Sequence, residues 1–156
     1  MPVILVLCTG NSARSILAEV LFNALGAGQV SAVSAGSQPK GAPHPLALET
    51  LIRHGHGTTG LCSKSWDVFA EPGAPEIDAV ITVCDSAAAE SCPIWPGAPL
   101  KSHWGLPDPA GIEDEAAARA AFEATYQALR QRISAFMAQL ERAPDDLAGA
   151  LAAGRA

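Results

Sequence analysis

Aromatic residues are scarce in this 156-residue chain: four Phe, three Trp and one Tyr make up 5% of it. A groove that grips an aromatic ring by stacking is therefore poorly supplied. Basic residues are also few, 10 against 16 acidic, and the ten do not cluster along a net charge of −6. That balance argues against nucleic acid as a partner. The longest apolar run, Val3 to Cys8, falls far short of the roughly 20 residues needed to span a bilayer, so no membrane association is expected. Met1 leads straight into a strand-like stretch with no charged-then-apolar leader, and a cytoplasmic protein is expected. The four cysteines, Cys8, Cys62, Cys84 and Cys92, include no Cys-x2-Cys spacing, which disfavours zinc. In a cytosolic chain of this size they point instead to catalysis or redox work. Apolar residues are not lacking. At 49% of the chain they exclude disorder and suffice for one domain with its own core.

Apolar runs without strict alternation recur at residues 2–7, 29–34 and 77–83, with a weaker one at 99–104. Strands of that kind are buried on both faces, as in a parallel sheet covered by helices. Helical periodicity fills the gaps. A first helix runs from about Ala13 to a stop at Gly26, and a second from Pro45 to Gly55. Phe122, Tyr126, Leu129, Ile133, Phe136 and Leu140 step by 4, 3, 4, 3 and 4, one buried stripe on a long last helix. Residues 36–43 and 71–76 read as loops. The expected architecture is α/β: a three-layer, four-stranded parallel sheet with helices on both faces. It forms one domain over residues 1–141, followed by an Ala/Gly-rich tail over 142–156, either a frayed helix or disordered. The last-helix stripe is fully accounted for by burial on the sheet, so a monomer is expected.

The run Cys8-Thr9-Gly10-Asn11-Ser12-Ala13-Arg14-Ser15 joins the first strand to the first helix. The N–H groups of residues 9–14, the helix N-terminus and the Arg14 fork together can hold one tetrahedral oxyanion over the Cys8 sulfur. Thr9, Gly10, Asn11, Ser12, Ala13 and Arg14 are the candidate anion-binding residues. The positive surroundings are expected to lower the Cys8 pKa and hold a thiolate. Asn11 is the residue suited to a left-handed turn. Ser15 either donates a hydrogen bond to the Cys8 thiolate or serves ordinary first-turn chemistry. Ligands of such folds bind at the carboxyl ends of the strands, where Cys84 also falls.

This loop resembles the phosphate loop of the low-molecular-weight protein tyrosine phosphatases and of the arsenate reductases that share their fold, with its flavodoxin-like topology. Val83-Cys84-Asp85-Ser86-Ala87-Ala88-Ala89-Glu90-Ser91-Cys92-Pro93 resembles the redox segment of the thioredoxin-coupled arsenate reductases. His103-Trp104-Gly105-Leu106-Pro107-Asp108-Pro109-Ala110-Gly111 resembles their acid loop, and Val33-Ser34-Ala35-Gly36 their second strand. The phosphatases usually carry tyrosines after Asp-Pro, where Ala110 and Gly111 stand. The thioredoxin-linked type often has cysteine where Ala13 stands.

The resemblance implies reduction of arsenate to arsenite, in arsenic detoxification. Cys8 is the nucleophile, Arg14 the anion holder, Ser15 an aid to the thiolate and Asp108 the general acid. Cys84 and Cys92 complete a thiol–disulfide relay. Phosphate or sulfate would bind as analogues of arsenate, and thioredoxin or another cytosolic thiol donor would reduce the final disulfide. No cofactor is required. Members of the family often bind potassium beneath the loop, which here implicates Asn11, Glu19 and Ser34, with Asp67 near the place of a fourth ligand. Two other readings stand beside it. A low-molecular-weight protein tyrosine phosphatase would need only Cys8, Arg14 and Asp108. A non-enzymatic redox sensor would need only the cysteines. His103 and Trp104 are expected to pack beneath the loop, and Cys62 has no assigned role. The stretch between Cys84 and Cys92 is expected to unwind on oxidation, because a disulfide needs Cα atoms within about 7 Å.

Overall fold

The computed structural model describes residues 1–84 and 99–155. Four strands form one parallel sheet in the order β2-β1-β3-β4: β1 Val3–Leu7, β2 Ser31–Ala35, β3 Ala79–Thr82 and β4 Leu100–His103. The helices are α1 Arg14–Leu25, α2 Pro45–Arg53, α3 Glu115–Arg142 and α4 Leu147–Arg155. Two 3-10 turns, Trp66–Ala70 and Pro109–Gly111, complete the described elements. All four expected strands are present. β1 sits between β2 and β3, with Leu7 opposite Ala35 on one side and Thr82 on the other. This is why its run is apolar throughout: alternate residues feed two cores.

Ile4 and Val6 join the larger core with Leu17, Phe22, Phe122 and Ile133. Leu5 and Leu7 face a smaller cluster with Phe69, Ile77 and Val80. Among the described residues the second face is covered by the Trp66–Ala70 turn, whose Phe69 supplies the apolar contact. Every member of the expected α3 stripe is buried. Phe136 meets Phe22 edge-on at 5.3 Å between ring centroids, a geometry that adds to simple area burial. Trp104 is buried, stacks on Phe22 at 5.8 Å and donates its Nε1–H to the Leu151 carbonyl at 3.3 Å. His103 Nδ1 lies 2.8 Å from Thr82 Oγ1. No described helix is long and apolar enough to cross a membrane.

The segment read from sequence as a tail differs over most of its length. Leu147–Arg155 is a helix whose Ala150, Leu151 and Gly154 are buried against the main core. Its small residues are a packing requirement, because a Cβ on Gly154 would run into the six-membered ring of Trp104. Gly154→Leu is therefore expected to cost about 1–3 kcal/mol through overpacking. A urea-unfolding midpoint equal to that of the wild type would show that α4 does not contribute to the domain.

Candidate active site

β1 ends at Leu7, and the loop of Cys8 to Ala13 turns into α1 at Arg14. Cys8 N–H still reaches back to the Ala35 carbonyl at 3.3 Å, which fixes the base of the loop to β2. The turn is made at Asn11, the only described non-glycine residue with positive φ, at 44°. Both polar atoms of its side chain help to hold that conformation. Nδ2 donates to Ser15 Oγ and to Ser34 Oγ, each at 2.9 Å. Oδ1 accepts the Lys64 backbone N–H at 2.9 Å. Ser34 Oγ in turn donates to Glu19 Oε1 at 2.8 Å. Asn11, Glu19 and Ser34 thus form one cluster beneath the loop. The Ser15 hydroxyl accepts from Asn11 and so buttresses the loop. Gly36 has a part that sequence reading missed. A Cβ there would collide with the Cys8 and Thr9 carbonyl oxygens, so only glycine lets β2 end so close under the loop.

Helix α1 has no side-chain cap and no acidic residue in its first turn. Its N-terminal N–H groups are left to an external acceptor, and the local field favours an anion. The Arg14 guanidinium is buried. Nη1 donates to the Leu106 carbonyl at 2.8 Å, Nη2 stands 3.7 Å from Asp108 Oδ2, and Nε has no partner among the described residues. A buried, unpaired N–H costs on the order of 1–3 kcal/mol, which an oxyanion accepting from it would recover.

Cys8, Arg14, Cys84 and Asp108 all line one cavity of about 290 Å³, together with Thr9, Gly10, Ser12 and Ala13. Asn11 lies behind that wall and supports it. Gln38, Lys40 and Ala110 also line the cavity. Lys40 is the second residue missed from sequence. Its N–H donates to the Gly10 carbonyl at 3.0 Å and its stem lies over Gly10. It brings a second cation to the mouth, from a Gly- and Pro-rich loop that reads only as a connection.

Asp108 precedes Pro109 and is extended, as that position favours, with φ −82° and ψ 114°. Its Oδ1 caps the following turn by accepting the Ala110 N–H at 2.9 Å, and Oδ2 is the oxygen nearest Arg14. Cys84, two residues beyond β3, reaches the cavity because β1 and β3 are parallel neighbours and deliver their carboxyl ends side by side. Thr9 Oγ1 lies 3.6 Å from its sulfur. Cys92 lies outside the described residues. Cys62 is exposed and away from the cavity lining. Among the described residues no three His, Cys, Asp or Glu side chains come close enough together to hold a metal.

Two influences on Cys8 oppose the lowered pKa expected from its positive surroundings. The neighbouring Cys84 thiol, hydrogen-bonded to Cys8, and burial push the Cys8 thiol well above its ordinary range. Arg14 and the Gly10 N–H pull the other way and are outweighed. The sequence showed the positive groups but not the second thiol pressed against the first.

The family model for low molecular weight phosphotyrosine protein phosphatases matches residues 3–145. The chain belongs to that family. Within it, the chain is 35% identical over 107 residues to the arsenate reductase of Staphylococcus xylosus, covering 69% of this chain and 78% of that one. It superposes on a solved arsenate reductase in the phosphate binding state with TM-score 0.72 at 26% identity, over 89% of this chain and 98% of the other. It superposes equally on the low molecular weight protein tyrosine phosphatase of T. tengcongensis, with TM-score 0.70 at 22% identity over 90% and 100% of the two chains. The family's fold is common to reducing and hydrolysing members, so the cavity residues must decide between them.

Two outcomes test this geometry. Cys84→Ala removes the largest upward influence on Cys8. In a Cys62→Ser/Cys92→Ser background its thiolate absorbance is expected to rise at lower pH than with Cys84 present, and coincident titrations would refute the coupling. Because the folded protein holds the Cys8 proton more tightly than the unfolded chain, that proton contributes stability below the unfolded value of about 8.5, and the contribution is lost as pH rises beyond it. Gly36→Ala is expected to cost about 1–3 kcal/mol and to weaken binding of inorganic phosphate, read by calorimetry.

Proposed function

We propose that this protein reduces arsenate to arsenite through a Cys8, Cys84, Cys92 relay. One observation carries the reading: Cys84 lines the same cavity as Cys8, Arg14 and Asp108. A hydrolase has no use for a second thiol against its nucleophile, whereas a reductase needs a second sulfur to supply electrons. The similarity to the arsenate reductase of Staphylococcus xylosus supports the same choice.

Arsenate enters the loop, with its oxygens accepting from the backbone N–H groups and from Arg14. Cys8, as thiolate, attacks arsenic. An As–O bond breaks, and Asp108, in its protonated form, gives its proton to the departing hydroxide so that water leaves. Cys84, as thiolate, then attacks the Cys8 sulfur. The S–As bond breaks and its electron pair goes to arsenic, which leaves as arsenite, while Cys8 and Cys84 are joined and oxidised. Cys92 attacks the Cys84 sulfur, frees Cys8 as thiolate and leaves a Cys84–Cys92 disulfide. An external dithiol, thioredoxin or another cytosolic thiol donor, returns the two electrons. No organic cofactor enters these steps. The cycle needs a reducing compartment, which favours the cytoplasm, and every relay cysteine lies on one chain, so a monomer suffices.

The phosphatase alternative would use Cys8, Arg14 and Asp108 alone. Against it, Ala110 lines the cavity beyond Asp108-Pro109, and no aromatic residue among the described ones lines it to stack on a phosphotyrosine ring. Arsenite release assayed on single Cys→Ser variants separates the readings. Turnover is expected to vanish for Cys8→Ser, Cys84→Ser and Cys92→Ser and to persist for Cys62→Ser. Arsenate turnover that survives Cys84→Ser would defeat the relay. Asp108→Asn is expected to lower kcat by about 10²–10⁴-fold, whereas a pure redox sensor would be indifferent to that change.

A further inference from the structure

Glu19 is an acid in the middle of α1, only 14% exposed, directly beneath the anion loop. One of its oxygens, Oε1, accepts from Ser34 Oγ, and through Ser34 the carboxylate is connected to Asn11, the residue that shapes the loop. A carboxylate this enclosed needs a cation. Lys64 provides one: its ammonium stands 3.8 Å from Glu19 Oε1 and also donates to the Cys62 carbonyl at 3.2 Å. The same residue holds Asn11 with its backbone, donating to Oδ1 at 2.9 Å. Lys64 thus grips the loop support at both ends, by its main chain at Asn11 and by its charge at Glu19.

The residues present do not fit the potassium ion that the family resemblance implies. Asn11 has both amide hydrogens engaged, and its oxygen already accepts the Lys64 N–H. Ser34 Oγ both donates and accepts. The single negative charge that the network contains is Glu19, already faced by Lys64. A potassium ion placed there would meet an ammonium across one carboxylate. Asp67, the acid near the place of a fourth ligand, is exposed in the turn Trp66–Ala70.

We infer that Lys64 is a tethered internal counterion that takes the place of a bound monovalent cation and positions the anion loop through Glu19, Ser34 and Asn11. The inference concerns the loop and holds for either chemistry at Cys8. Being covalently attached, the ammonium is present at any potassium concentration, and the loop support is complete without a solute ion. Removing its charge leaves Glu19 to recruit a cation from solution, so potassium dependence should appear where none existed.

The test compares KCl with tetramethylammonium chloride at equal ionic strength, reading melting temperature and the affinity for inorganic phosphate. Wild type is expected to be identical in the two salts. Lys64→Gln is expected to melt lower and bind phosphate about tenfold more weakly, a loss of ~1.4 kcal/mol, in tetramethylammonium chloride. Both deficits should be made good saturably by KCl. Glu19→Gln/Lys64→Gln, which has no charge to balance, is expected to show no potassium response, and Lys64→Arg to behave as wild type. A saturable potassium response in the wild type would overturn the inference. So would Lys64→Gln with wild-type phosphate affinity in both salts, or with deficits that KCl leaves unchanged. If Lys64→Gln does not fold in either salt while the double variant does, the uncompensated Glu19 charge is the cause and the inference stands. Failure of both to fold overturns it.

Discussion

The left-handed turn at Asn11 is the constraint on which the site depends. An L-residue with positive φ is unfavourable in isolation and persists only where its surroundings hold it. Here three hydrogen bonds, to Ser15, Ser34 and the Lys64 main chain, converge on one side chain. They come from α1, β2 and the segment before the Trp66–Ala70 turn. The turn aims the N–H groups of the loop, and the loop in turn sets the distance from Cys8 to Arg14. Asn11 does not line the cavity, yet the shape of the cavity follows from it.

A parallel sheet makes the rest of the site economical. Strands that run the same way end at the same edge, so residues distant in sequence arrive together without long connections. Cys8 follows β1, Gly36 follows β2 and Cys84 follows β3. Arg14 then ties this edge to the loop after β4, through the Leu106 carbonyl and Asp108. One guanidinium therefore faces the anion and holds the acid loop. An oxyanion that shifts Arg14 would shift Asp108 with it.

Much of this was legible in the sequence, for physical reasons. Strands buried on both faces leave unbroken apolar runs, and β1, β2 and β3 stand where those runs are, within about two residues at each end. The α3 stripe was legible because 3.6-residue periodicity needs only one helix to be read. The left-handed turn was legible because few residues other than Asn suit it. What escaped was set by distant neighbours. Gly154 reads as part of a flexible tail until Trp104 is seen beneath it. Lys64 reads as an isolated lysine, 53 positions from the Asn11 that it holds. The raised Cys8 pKa required knowing that Cys84 touches it. The bond from Asn11 to Ser15 likewise needed the folded loop to be seen.

The contact between the two thiols has a consequence for the protein at rest. Peroxide and alkylating agents react with thiolates far faster than with thiols. The neighbouring thiol and burial both push the Cys8 pKa up, which lowers the thiolate fraction open to such damage between turnovers. The same sulfur that quiets Cys8 is the one placed to finish its reaction, so protection and reactivity are two uses of a single contact.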